Sequence, residues 1–261
     1  MSWKGRRDIC SREAFFKGSP KLNSIKVWMV SLAAGWGLAA GGWAAERPRV
    51  VEVRDFDVQV DGKPGGSIRI IVDDDQRGVV KASMQCDVQI SFVVYTYKYS
   101  YRGQETWKAG RPVDVQGNCV DGFTKRAVRA TFHEKQTDVV VDEKPRKDSA
   151  AYVWTTAFWC LPHVEDRDGD LQIFEADTGK RMTSQLTLVE TETRTINDTP
   201  AECSHYRLKG TIAAVLWFDP QGRLVEQTSV EDGHPTVVKL KSIRRKEVKA
   251  DENGRAERSS R

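Results

Sequence analysis

The sequence predicts a mainly β protein: one large, curved antiparallel sheet with a single short helix, over about residues 149–160, packed on it. Three observations carry this prediction. About ten to twelve runs alternate apolar and polar residues, the period of a half-buried strand, and Gly-, Asp- or Pro-containing turns separate them. The run from Cys86 to Tyr101 is sixteen residues long, against about five or six in a typical strand, so the sheet must be large and strongly twisted. Only Ala150 to Trp159 reads as a helix. With no internal repeat and no internal linker, one domain is expected from about residue 46 to 243.

The two ends of the chain differ from this middle. The formal charge of +4 is uneven: residues 1–44 hold seven bases (Lys4, Arg6, Arg7, Arg12, Lys17, Lys21, Lys26) against two acids (Asp8, Glu13), and the remainder carries 34 basic and 35 acidic residues. The basic excess belongs to a leader, and no nucleic-acid surface is expected. Residues 1–45 have the parts of a secretory signal. A basic region ends at Lys26, an apolar run spans Val27 to Leu38, and small residues lead to Gly42-Trp43-Ala44. Cleavage after Ala44 or Ala45 is expected, placing the protein in the periplasm or outside the cell. The uncharged stretch from Val27 to Ala45 approaches a membrane span in length, but Gly35, Gly37, Gly41 and Gly42 make it weakly hydrophobic, so no stable span is expected after cleavage. Residues 244–261 are charged and lack aromatics, the composition of a disordered tail.

Between these ends the elements follow in order. Val50 to Val60 alternates apolar and polar residues and turns through Asp61 to Gly66 into a strand from Ser67 to Val72. Asp73 to Gly78 turns again, and Val79 leads into the long arm. Phe123 to Phe132 and Thr137 to Asp142 flank a turn at His133 to Gln136. The helix is capped by Asp148 or Ser149, places Trp154 and Phe158 on one face with Trp159 beside it, and stops at Leu161-Pro162. Strands resume at Leu171 to Glu175, Arg181 to Ile196, Glu202 to Leu208 and Thr211 to Phe218. Asp219-Pro220-Gln221-Gly222 is a tight turn, followed by strands over Val225 to Val230 and Val237 to Ile243.

The long arm has its own predictions. Its apolar face passes from Val88, Ile90 and Phe92 to Val93, Tyr95, Tyr97, Tyr99 and Tyr101, as in a bent strand that changes packing partner near Val93. The tyrosine ladder suits aromatic recognition of a ligand, although tyrosines also cover sheet surfaces well. With a turn at Arg102-Gly103, Cys86 lies opposite Cys119 at a non-hydrogen-bonded position, where Cα atoms are about 4.5 Å apart and a disulfide fits. Four cysteines follow the leader, and an even number in an exported chain favours disulfides. Three pairings are possible, and the hairpin favours Cys86–Cys119 with Cys160–Cys203.

Little in the sequence carries chemistry. The acidic loop from Glu165 to Asp170 lacks the glycine and glutamate positions of a calcium loop, so no metal and no cofactor are expected. No nucleophile elbow, phosphate loop or dinucleotide fingerprint is present. His205, two residues from Cys203, suggests a thiol–imidazole pair, which a bonded Cys203 would preclude. Glu105 beside Trp107 could hold a polar ligand.

As an ensemble, Tyr99-x-Tyr101, Glu105-x-Trp107-x-x-Gly110-Arg111, Trp154-Thr155-Thr156-x-x-Trp159, Asp177-Thr178-Gly179, His205-Tyr206-Arg207-Leu208-x-Gly210, Leu216-Trp217-Phe218-Asp219-x-x-Gly222-Arg223-Leu224 and Asp232-Gly233-His234 resemble an uncharacterised family of exported bacterial β-proteins, a domain of unknown function. The resemblance covers about residues 52–243 and brings no established activity. It is distantly similar to periplasmic lipoprotein-carrier half-barrels, which implies an open or half β-barrel enclosing an apolar ligand. The leading expectation is non-catalytic binding of a lipid-like or other apolar small ligand by Tyr95, Tyr97, Tyr99, Trp107, Trp154, Phe158, Trp159 and Trp217. One rival is a hydrolase of envelope glycans or lipids with Glu105, His205, Asp219 and His234 convergent in a cleft. The other is a protein-interaction module using the tyrosine ladder.

Overall fold

The computed structural model describes residues 48–91 and 96–248. Eight strands run as a meander: β1 (Arg49–Val60), β2 (Lys63–Asp74), β3 (Val79–Ser91), β4 (Thr96–Lys108), β5 (Arg111–Asp121), β6 (Thr124–Phe132), β7 (Thr137–Val141) and β8 (Lys144–Asp148). A crossing segment then carries the two-residue β9 (Trp154–Thr155) and a 3-10 turn, Val164–Asp166. A second meander follows through β10 (Asp170–Phe174), β11 (Arg181–Ile196), β12 (Thr199–Gly210), β13 (Ala214–Phe218), β14 (Leu224–Glu231) and β15 (His234–Val248). All fifteen form one sheet in the order β8-β7-β6-β5-β4-β3-β2-β1-β15-β14-β13-β12-β11-β10-β9. The first and last strands, β1 and β15, pair in its middle, so the longest-range contact in the chain is the seam joining the two meanders. Every pairing is antiparallel except that of β9 with β10.

The sheet is curved and open. β8 and β9 are its two edges, yet side chains tie the two ends together. Phe132, Tyr152 and Phe174 meet edge to face with centroids 5.3–5.6 Å apart. Thr137 Oγ1 donates to the Ala150 carbonyl at 3.2 Å, and Arg181 reaches Asp148 at 3.4 Å. One side-chain set per strand faces inward, as the period of two requires, and these sets fill the concave side with two apolar clusters. The larger is centred on Phe56, Ile70, Trp154, Leu216 and Phe218, the smaller on Tyr101, Val115, Val128, Val139 and Phe174.

The sixteen-residue arm is not one strand. The chain reverses between β3 and β4, so that Cys86 pairs with Tyr101 and Tyr101 in turn pairs with Cys119. Arg102 and Gly103 lie mid-strand instead of at a turn. The change of apolar face, read from the sequence as a bend, is what a chain reversal produces. Residues on β3 face inward at even numbers (Ala82, Cys86) and on β4 at odd numbers (Tyr101, Glu105, Trp107). The change itself, near Val93, and Tyr95 lie outside the described residues. Cys86 and Cys119 therefore flank Tyr101 from opposite sides. Two strand spacings separate them, about 9.5 Å, too far for a disulfide, and all four of Cys86, Cys119, Cys160 and Cys203 are free thiols.

Tyr101 explains the glycine at 103. Its ring lies along the strand over the paired Gly103 and Gly117, where a Cβ would come within 2.2 Å of the Tyr101 hydroxyl from Gly103 and 2.7 Å from Gly117. Neither strand can carry a side chain there while the ring does.

The helix expected at 149–160 is replaced by an extended strap. Val153, Thr155 and Thr156 are β-branched and Tyr152, Trp154, Phe158 and Trp159 aromatic, all weak helix formers, and the sheet satisfies their backbone instead. Val153 N–H donates to the Gln172 carbonyl at 3.1 Å, Thr156 N–H to that of Phe174 at 3.0 Å, and Leu161 N–H to that of Gly222 at 2.8 Å. Asp148 accepts from Ala150 N–H and the Tyr152 hydroxyl, holding the strap's start. The charged end of the chain is also more ordered than its composition predicts. β15 continues to Val248 because Arg244–Val248 pair with Arg49–Val53; residues 249–261 lie outside the described residues, as does the leader.

Two outcomes follow from this register. Gly103→Ala should lower unfolding free energy by about 1–3 kcal/mol in denaturant titrations, whereas the same change made in a Tyr101→Ala background should cost little. Peptide mapping without reductant should yield no Cys86–Cys119 linked peptide, and finding one would contradict the strand order.

Candidate functional site

The strap crosses the concave face and is held there by a buried carboxylate. Strand β4 turns Tyr97, Tyr99, Tyr101, Gly103, Glu105 and Trp107 inward, since alternate residues share a face. Glu105, 4% exposed, accepts three hydrogen bonds on Oε2: from Trp107 Nε1 at 2.8 Å, Trp159 Nε1 at 2.9 Å and Thr155 Oγ1 at 3.1 Å. Two of these donors belong to the strap. The Trp107 and Trp159 rings meet edge to face at 5.3 Å. Burial pushes the Glu105 carboxyl above the ordinary glutamate value, and the three donors offset only part of that. Its Oε1 and the Tyr101 hydroxyl are buried without a protein partner.

A second network anchors the strap's other side. β1 turns Glu52 and Arg54 inward between Val50 and Phe56, and both are buried. Glu52 accepts from Arg54 Nε at 2.5 Å and from an Arg223 guanidinium nitrogen at 3.0 Å. Burial alone would raise the Glu52 carboxyl, but the two guanidinium groups outweigh it and hold it below the ordinary range. Arg54 also donates to the Trp159 carbonyl. Arg223 pairs with Asp219 at 2.5 Å, and Asp219 caps its own turn by accepting from the Gln221 and Arg223 N–H groups, each at 2.9 Å. Asp219, Arg223, Glu52, Arg54 and Trp159 thus form one chain of contacts from the β13–β14 turn to the strap.

The strap leaves a cleft on each side of itself. The first, about 590 Å³, is lined by Val80, Trp107, Trp159, Leu161, Pro162 and Tyr206, with Arg167 and Asp219 adding charge. The second, about 330 Å³, lies on the side of Thr156 to Phe158 and is lined by Tyr99, Tyr101 and Glu175 among others.

The residues singled out from the sequence divide accordingly. Trp107 and Trp159 floor the first cleft, while Tyr99 and Phe158 line the second. Trp154 is fully buried, packed on Phe158 at 4.7 Å with its indole N–H on the Cys160 carbonyl, so it fills the core. Tyr97 and Tyr99 are half-buried on the inner face, bonded to Asp121 at 2.6 Å and Asp177 at 3.1 Å, so the described part of the ladder does not form an exposed surface. Trp217 lies on the opposite face of β13 from Leu216 and Phe218. There its ring stacks on His205 at 4.8 Å, sits under the Arg194 guanidinium at 4.4 Å and donates to Glu192.

The four polar candidates do not share a cleft. Glu105 is tied to the indoles, Asp219 to Arg223, His205 to Trp217 with Glu190 3.5 Å away, and His234 to Asp61 at 2.8 Å. Burial pushes the Cys203 thiol up, with Asp219 adding to the effect, so it stays neutral beside His205. Glu52, Arg54, Thr155 and Arg223 were not anticipated. Glu52 and Arg54 did leave a signal, since both occupy the inward register of a strand whose other inward residues are apolar.

Glu105 should be testable by pH. A carboxyl raised on folding stabilises the protein while protonated, and that contribution is lost as pH rises from the ordinary value of 4.5 through the folded one. Wild type should therefore lose stability relative to Glu105→Gln over that rise. Glu105→Ala, which strands two indole N–H groups and a hydroxyl, should cost roughly 3–5 kcal/mol in chemical denaturation.

Comparison with known proteins bears on the fold. A crystal structure from Brucella abortus, described as a β-barrel-like protein of domain of unknown function DUF1849, is similar with a TM-score of 0.57. Its identity is 9%, over 77% of this chain and 99% of that one. No curated protein matches. Residues 56–241 match the family described as domain of unknown function DUF6134, and they include every residue of the Glu105 cluster and of the Asp219–Arg223 turn. The chain belongs to the DUF6134 family.

Proposed function

We propose that this is an exported, non-catalytic binding protein whose first cleft takes an amphipathic, lipid-like small ligand. The observation that carries the reading is the pair of indoles, Trp107 and Trp159, at the floor of a 590 Å³ cleft. Their N–H groups are consumed by Glu105, so what they offer a ligand is apolar ring surface. Leu161, Pro162 and Val164 continue that surface toward solvent, where Val164 is 64% exposed. Arg167 lines the same cleft and bonds the Pro162 carbonyl at 2.8 Å, placing a cation beside the apolar wall. Apolar walls with a few placed polar groups are what small-molecule sites use.

Binding is favoured over hydrolysis because Glu105, Asp219, His205 and His234 are engaged with separate partners and do not converge in one cleft. The basic, then apolar, leader of residues 1–45 supports export.

The test is native mass spectrometry and solvent extraction of the purified protein, with tryptophan fluorescence titrated by a single-chain phospholipid. A co-purifying amphiphile, or a saturable fluorescence change, is expected. Leu161→Arg should weaken it at least tenfold while the melting temperature holds. A protein that is free of amphiphile and whose fluorescence does not respond would contradict the reading.

A further inference from the structure

The second cleft has a different chemistry from the first. Three carboxylates line it, Glu175, Asp177 and Glu231, and among the described residues no Lys, Arg or His does. Lys180 and Arg126 act on Glu175 from outside the lining. Two tyrosines stand among the acids. Tyr99 gives its hydroxyl to Asp177. Tyr101 is 4% exposed, and its hydroxyl, lying over Gly103, has no partner. A buried polar atom without a partner is uncommon and needs an explanation, which a hydrogen-bonding ligand would supply. Met84, Met182 and Ile212 add soft, apolar surface to the wall, beside the uncharged polar side chains of Thr156, Thr211 and Gln227.

We propose that this second cleft binds a small organic ammonium ion carrying a short apolar group, with Glu175 and Asp177 facing the cation, Tyr101 bonding an N–H and the methionines packing on the alkyl part. Each element of the lining fits that chemistry. Aromatic faces attract cations, thioethers adapt to irregular alkyl shapes, and a volume of 330 Å³ is at the small end of ligand sites. Burial, with Asp177 adding repulsion, pushes the Glu175 carboxyl up. A cation in the cleft would relieve both effects. An anion would meet three carboxylates, and a neutral alcohol would leave their charge uncompensated, since Asp177 and Glu175 accept only from the neutral hydroxyls of Tyr99 and Thr178.

The experiment is calorimetric titration of the purified protein with hexylammonium, hexan-1-ol and hexanoate, which share a tail and differ in head. Hexylammonium should bind at least tenfold more tightly than hexan-1-ol, and hexanoate should not bind. Asp177→Asn, which keeps the Tyr99 contact, and Glu175→Gln should each cut hexylammonium affinity severalfold and leave the alcohol unchanged, with circular dichroism confirming the fold. Met182→Trp should abolish binding and Leu161→Arg should not, which separates this site from the first cleft. Equal affinity for the three heads, no binding of hexylammonium by folded wild type, or affinity unchanged in both charge variants would overturn the proposal.

Discussion

The arrangement depends on one buried carboxylate. Moving a carboxyl group out of water costs several kcal/mol if it stays ionised and unpaired. Glu105 is held by three donors, two of them on a strap that makes few regular backbone pairs of its own. A chain segment of fifteen or so residues without a helix would ordinarily lie on the surface. Here its indole and hydroxyl groups turn into the core because the acceptor they need is there. The strap then divides the concave side into two clefts, so the walls of both depend on the same hydrogen bonds that fix the strap.

The ion chain from Asp219 to Arg54 serves the opposite side of the strap and links it to the sheet's seam. β1 carries Glu52 and Arg54 and also pairs with β15, the contact that brings the two ends of the chain together. Distant segments must therefore find each other before the strap can seat. Closing such long loops is slow relative to forming hairpins. Buried charges of this kind add little net stability on average.

Most of the sheet was legible because period-two alternation and turn residues are local signals. Arg181 to Ile196 was bounded as observed, and the turn at Asp219 to Gly222 was read from its Pro and Gly. Two errors have physical causes. The four residues between β3 and β4 include no Gly, Pro, Asn or Asp, so Phe92 to Tyr95 reads as continuous strand, whereas Arg102-Gly103 has a glycine that serves the Tyr101 ring instead of a turn. The four-residue spacing of Trp154 and Phe158 suggested a helix, and the two rings do touch, but through a turn at Phe158, whose φ is +45°. The Glu105 cluster was half visible: Trp107 lies two residues away on the same face of β4, while Thr155 and Trp159 reach Glu105 only through tertiary structure.

The most direct test of this account is a double-mutant cycle on unfolding free energy between Glu105→Met and Trp159→Phe, the second removing the indole N–H while keeping an aromatic ring. If the carboxylate holds the strap through that hydrogen bond, the two changes should couple by at least about 1 kcal/mol. Additivity within about 0.3–0.5 kcal/mol would mean that Trp159 is seated by packing alone and that Glu105 does not hold the strap.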